Sequence, residues 1–173
     1  NMGGIYDQDI WYSRQKSGEW TFPIALQALN NKLNNAVVGQ FNDPSDSTQE
    51  RLYLISAYVT ERDFEKGINI ATRKRTDTTW SVKGKLPIPG LDIDGKYVGY
   101  YMSQDQNVVI ISYEGSDSEG EEDLYVSIKD EEGWTEPENL GSTINSEGFE
   151  ISPFLSKNND TLYFSSDGFK GQG

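Results

Sequence analysis

The chain repeats itself. Asp9-Ile10-Trp11-Tyr12-Ser13, followed by Trp20, Pro23 and Leu26, returns 114 positions later as Asp123-Leu124-Tyr125-Val126-Ser127, followed by Trp134, Pro137 and Leu140, without a gap. A weaker middle copy sits 60 positions after the first: Asn69-Ile70-Ala71-Thr72, then Trp80 and Leu86, with Lys83 where the first copy has Pro23. A second element occurs three times, as Leu52-Tyr53-Leu54-Ile55-Ser56, Val108-Val109-Ile110-Ile111-Ser112 and Leu162-Tyr163-Phe164-Ser165-Ser166. Each occurrence follows a short polar turn, at 47–50, 104–107 and 157–160. Each turn follows another apolar stretch, at 36–41, 97–102 and 149–155. Self-similarity at a fixed period restricts a chain to stacked or radial repeats of one unit.

One period of 54 to 60 residues holds four short β-prone runs separated by turn residues. In the last copy these are strand a (149–155), strand b (162–166), strand c (124–128) and strand d (around 134–140). Four strands per repeat predict an all-β chain of four-stranded antiparallel β-propeller blades. A β-sandwich also spaces its strands this way, but it gives Trp20, Trp80 and Trp134 no reason to share one context. Residues 1–173 read as a single propeller segment with repeats at 1–56, 57–112 and 113–166, and 167–173 opening a further one. The strand phase is c-d, a-b-c-d, a-b-c-d, a-b. This predicts a segment of a longer polypeptide, or one completed by further copies or a partner, because half-blades leave strand edges unpaired. Trp20, Trp80 and Trp134 are expected to pack between neighbouring blades, with Leu26, Leu86 and Leu140 closing the same layer. Asp9, Asn69 and Asp123 are expected to bond to turn backbone. The stretch 24–38 has apolar residues at helical spacing but four asparagines. It reads as a loop with at most one helical turn.

Glu150-Ile151-Ser152-Pro153-Phe154-Leu155-Ser156, with Thr161-Leu162-Tyr163-Phe164-Ser165-Ser166-Asp167-Gly168, resembles the Pro-Asp type WD-repeat-like motif of TolB-like propellers. So does Asp123-Leu124-Tyr125-Val126-Ser127 with Trp134-Thr135-Glu136-Pro137-Glu138-Asn139-Leu140-Gly141 and Ile144-Asn145. The resemblance spans the chain as three repeats and is strongest in the last. The family's Ser-Pro-Asp-Gly turn is degraded to Ser156-Lys157-Asn158-Asn159-Asp160 and to Ser103-Gln104-Asp105-Gln106. The form looks most like propeller modules of Bacteroidetes cell-envelope proteins, which an OmpA-like peptidoglycan-binding domain often follows. The resemblance implies a non-catalytic propeller that binds other proteins in the periplasm or at the outer membrane. It carries no catalytic residue set, and no OmpA-like domain lies in this sequence.

Composition narrows the chemistry. The chain has no histidine and no cysteine, which removes imidazole and thiolate catalysis, disulfides and Fe–S clusters. A net charge of −13 argues against nucleic-acid backbones and anionic membrane surfaces, and favours basic partners or cations. No apolar run approaches the roughly 20 residues of a membrane span, and Asn1-Met2-Gly3-Gly4 is not a signal peptide. The resemblance implies another envelope protein as partner, and the half-blades imply further blades or a second copy.

The acidic loop Asp117-Ser118-Glu119-Gly120-Glu121-Glu122-Asp123 can be read in two ways. Asp117, Glu119, Glu121 and Asp123 supply hard oxygen ligands on a Gly-containing turn, as Ca²⁺ needs. The same charges also suit a solvated loop. Asp92-Ile93-Asp94-Gly95 is a second, weaker calcium-like fragment. Asn159-Asp160-Thr161 fits a glycosylation sequon that a hairpin turn explains as well. The alternative function is carbohydrate binding or glycoside hydrolysis. Tyr6, Trp11, Tyr12, Tyr58, Tyr100, Tyr101 and Tyr113 could stack on sugars, but no pair of facing carboxylates is legible.

Overall fold

Ser17 and Gly18, at the tip of the first hairpin, have φ of 51° and 87°. Two left-handed residues in succession make a type I′ connection, whose twist matches that of the strands it joins. The structure, a computed structural model, describes residues 8–31, 34–58, 64–91 and 97–171. Every regular element among them is a β-strand. No helix among them is long and apolar enough to cross a membrane. The chain divides into two compact units, Asn1–Leu86 and Pro87–Gly173.

In the first unit, β1 (Trp11–Tyr12) pairs antiparallel with β4 (Ile24–Ala25). Between them, β2 (Gln15–Lys16) and β3 (Glu19–Trp20) form the hairpin tip. Then β5 (Ala36–Asn42), β6 (Gln49–Tyr58), β7 (Phe64–Lys74) and β8 (Ser81–Lys85) form a four-stranded antiparallel sheet in chain order. The stretch 24–38, expected as a loop, carries β4, one turn closed by Leu29 N donating to Leu26 O, and the start of β5. Ile10, Leu29, Leu52, Leu54, Ala71 and Trp80 make the buried core of this unit. Each fully buried aliphatic side chain contributes about 1.5–3 kcal/mol.

In the second unit, β9 (Gly99–Met102), β10 (Val108–Tyr113), β11 (Asp123–Ile128) and β12 (Glu138–Asn139) form the other four-stranded sheet, again in chain order. β13 (Glu150–Leu155) and β14 (Leu162–Ser166) form a two-stranded sheet. The continuous apolar run of β10 is buried on both faces, with Val109, Ile110 and Ile111 at most 3% exposed. In β14, by contrast, exposure alternates along the strand. Ile110, Leu124 and Leu155 are buried together, with Tyr101, Val126, Leu140 and Phe164 packed on them.

The degraded turn is structurally intact. Ser103 Oγ donates to Asp105 Oδ1 and accepts from Val108 N at 2.9 Å. Ser156 Oγ donates to Asp160 Oδ1 at 2.9 Å and accepts from Thr161 N at 3.1 Å. Gln106 and Asn159 take φ of 60° and 59° at matching points, a conformation glycine adopts without strain. The c–d hairpins also share their bonds. Ser13 Oγ donates to Thr21 O, and Ser127 Oγ to Thr135 O. Arg14 N and Ile128 N each donate to the matching threonine Oγ1 at 3.0 Å.

Candidate binding cleft beside β1

The repeat residues divide on inspection. Trp80 and Trp134 are buried, at 8% and 9% exposure, but Trp20 is 72% exposed. Trp80 and Trp134 are thus covered, as packed rings would be, and Trp20 is not. Leu86 is buried, and Leu26 and Leu140 pack partly buried on their cores. Asp123 is fully buried, and its Oδ2 accepts from Glu119 N and Asn139 Nδ2, both at 2.8 Å. That is the turn-bonding role expected of it. Asp9 is exposed, and its side chain makes no hydrogen bond among the described residues. Asn69 lies inside β7 rather than ahead of it, and its Nδ2 donates to Gly67 O.

The calcium reading fares differently. Asp117 Oδ1 accepts from Tyr125 OH at 2.8 Å, while Asp123 turns inward to its own turn. Those two carboxylates are spent separately, and no three acidic side chains among the described residues are placed to hold a metal ion. Asp92-Ile93-Asp94-Gly95 and Tyr6 lie outside the described residues. Asn159 occupies the hairpin turn, its Nδ2 donating to Asp105 Oδ2. Tyr113 stacks at 4.4 Å on Tyr125. Its phenol is pushed up to about 12 by burial, with Tyr125 and Asp117 adding to the shift.

Sequence reasoning did not anticipate Glu150. It is fully buried, with Ser146 N, Ser146 Oγ and Ser166 Oγ all donating to its carboxylate. Nothing in the local pattern of β13 signals this, because the donors come from outside the strand.

The concave feature that gathers distinctive chemistry lies in the first unit. It is a cleft of about 220 Å³. Five consecutive residues, Ile10 to Arg14, line it, together with Gln40 of β5, Leu52 of β6, Arg73 of β7 and Trp80. Arg73 lies 4.5 Å from the Trp80 ring centroid and pairs with Glu50 at 2.7 Å. That charge is already answered. Arg14 lies 5.5 Å from the Tyr12 ring centroid and pairs with no carboxylate among the described residues. Trp11 is 59% exposed at the cleft. Trp, Tyr and Arg are the residues most enriched at binding hot spots. Among the described residues no Asp or Glu lines the cleft, and no carboxylate pair for glycoside hydrolysis is placed there. Trp11 and Tyr12 were legible as exposed-ring candidates. Arg14 and Arg73 were not, although two arginines flanking aromatic positions in so acidic a chain are a signal worth following.

Comparison with known proteins returns no matching family model, no matching curated protein and no matching solved structure. The site therefore has to be read from its own geometry.

Proposed function

We propose that this chain is a run of TolB-like propeller blades, part of a larger or multi-copy ring. On this reading it serves as a non-catalytic scaffold that binds another protein in the periplasm or at the outer membrane of a bacterial envelope. The observation that carries the reading is strand order. Two four-stranded sheets each run a-b-c-d in chain order, a c–d pair precedes them and an a–b pair follows. The recurring Ser–Thr hairpin bonds add to it, as do the matching turns in which Ser103 Oγ and Ser156 Oγ donate to the side chain two residues on. The envelope location rests on the motif resemblance alone. Protein binding rests on the Arg- and aromatic-lined cleft, which has no carboxylate with which to do chemistry.

A second reading, carbohydrate binding, is favoured by Trp11 and Tyr12 in the same cleft. Two measurements test the propeller and its lack of catalysis. Light scattering with negative-stain imaging should give either a monomer with radially arranged sheets or a dimer closing a ring; two stacked sheets would overturn the propeller. Turnover of chromogenic p-nitrophenyl glycosides should stay at background. A sustained rate abolished by replacing one carboxylate would overturn the non-catalytic reading.

A further inference from the structure

We propose that β8 takes up an extended acidic segment of the partner protein, which pairs along its open outer edge and sets carboxylates against Lys83 and Lys85. This goes beyond the cleft, and it rests on the scaffold reading for the existence of a protein partner.

The edge belongs to a complete four-stranded unit. β5, β6, β7 and β8 follow in chain order, so β8 is the outermost strand. It lies mid-chain, inside the continuously described stretch 64–91. β7 covers one edge of it from Asn69 to Thr72. Among the described residues no strand pairs with the other edge. The repeat holds four strands, so it assigns no fifth to that place.

The other copies show what is particular to β8. Leu26 N donates to Ile10 O, Leu86 N to Ile68 O and Leu140 N to Leu124 O, so the three outer strands align on these leucines. Three positions before them stand Pro23, Lys83 and Pro137. Backbone groups of an antiparallel strand point alternately to one edge and to the other. With the leucine N–H turned inward, Pro23 and Pro137 fall on the outward phase, where proline withholds the donor that an added strand needs. β4 and β12 are two residues long, whereas β8 has five, one bulge included. Of the three, only the middle copy keeps a long outer strand free of proline.

Charge selects the occupant. Exposure alternates along β8, with Ser81, Lys83 and Lys85 exposed and Val82 packed on the core. Neither lysine pairs with a carboxylate among the described residues. Lysines on an edge repel a second copy of the same strand and discourage a neutral one. An acidic strand gains instead, because a Glu opposite each lysine makes a cross-strand pair of opposite charge. The surrounding unit does not oppose it: residues 1–86 carry 11 basic and 10 acidic side chains, and 87–173 carry 4 and 18. The chain's net negative charge thus belongs to the second unit and not to the one that holds β8. Main-chain hydrogen bonds to the edge supply affinity, and alternate side chains supply specificity.

The test uses the whole chain and a fluorescein-labelled, end-capped heptapeptide, Thr-Val-Glu-Val-Glu-Val-Thr, followed by anisotropy. Saturable binding is expected. Lys83→Gln and Lys85→Gln should each weaken it about threefold, the worth of one exposed cross-strand pair. A peptide with Lys for both Glu should not bind the parent. It should bind the double variant Lys83→Glu and Lys85→Glu, which in turn releases the acidic peptide. Lys83→Pro reproduces Pro23 and Pro137 and should abolish binding while keeping the parent's far-ultraviolet circular dichroism. If that spectrum is lost, the charge exchange decides alone. No saturable binding would overturn the proposal, and so would equal binding of both peptides by the parent or undiminished binding in a folded Lys83→Pro. A dimer in light scattering that Lys83→Pro dissociates would give the edge to a second copy and overturn it too. The scaffold reading is judged separately by imaging and turnover, so the failure of either can be told from the failure of the other.

Discussion

Gln106 and Asn159 show how far a turn can drift from its ideal residue and still work. Both stand at φ near 60°. A left-handed conformation costs most L-residues about 1–2 kcal/mol, and asparagine less. Gln106→Gly should therefore raise stability by about 0.5–1 kcal/mol in urea unfolding, the glycine's added unfolded-state freedom taking back part of the gain. Asn159→Gly should change it little. The serine and aspartate of these turns were legible in the sequence; the backbone conformation that tolerates their degraded neighbours was not. Titration gives a second residue-level expectation. Asp46 accepts hydrogen bonds from Gln49 and Thr48, which hold its carboxyl at about 2 against an ordinary 3.8. The folded state thus binds this proton more weakly than the unfolded chain. Its contribution is whole above the ordinary value and is lost as pH falls toward 2. At the other end, the Tyr113 phenol is held up to about 12 against an ordinary 10.0. Its contribution is whole below the ordinary value and is lost as pH rises through 12. Burial also pushes up Tyr100, Tyr101 and Tyr125, so absorbance at 295 nm should show several tyrosines ionising late in native protein and one fewer in Tyr113→Phe. Unfolding of Asp46→Asn should depend less on pH at the acid end than that of the parent.

An asparagine ties each outer c–d element to the chain that follows. Asn145 Oδ1 accepts from Leu124 N at 2.9 Å, and its Nδ2 donates to Leu124 O and to Asn139 Oδ1. Asn30 repeats the clasp, its Oδ1 accepting from Ile10 N at 2.7 Å and its Nδ2 donating to Ile10 O. Removing Asn145 leaves Leu124 N without its partner and takes one of two donors from Leu124 O, which keeps Leu140 N. Asn145→Ala should cost about 2–3 kcal/mol in denaturant unfolding. Asn30→Ala should cost about 1 kcal/mol, because its site is partly open to water. The strands themselves were well placed by the sequence: the run 162–166 is β14, and 36–41, 108–112 and 124–128 each fall within one residue of a strand. The middle copy misled for a definable reason. Leu26 N donates to Ile10 O and Leu140 N to Leu124 O, but Leu86 N donates to Ile68 O. The middle hairpin is two residues longer, so aligning its Trp80 and Leu86 without a gap sets Asn69 at the Asp9 position, which Gly67 holds by hydrogen bonding.

At the scale of the molecule, charge decides how partners arrive. A chain of net −13 steers a basic patch and is screened by salt. Association with a basic protein partner should slow as ionic strength rises, measured as the on-rate by stopped flow. An on-rate indifferent to salt would mean that the acidic surface plays no part. The sequence by itself determined the all-β class, the strand order, the repeating turn chemistry and the charge, because these depend on periodicity and local hydrogen bonding, which a linear pattern carries. Only the tertiary structure decided which copy of a repeated residue is covered. Trp134 is buried and Trp20 exposed, although both follow the same motif. Burial depends on what lies alongside: among the described residues β11 pairs with β10 and β12, and β1 with β4. Arg14, Trp11 and Trp80 likewise meet along one cleft, which no spacing in the sequence announces.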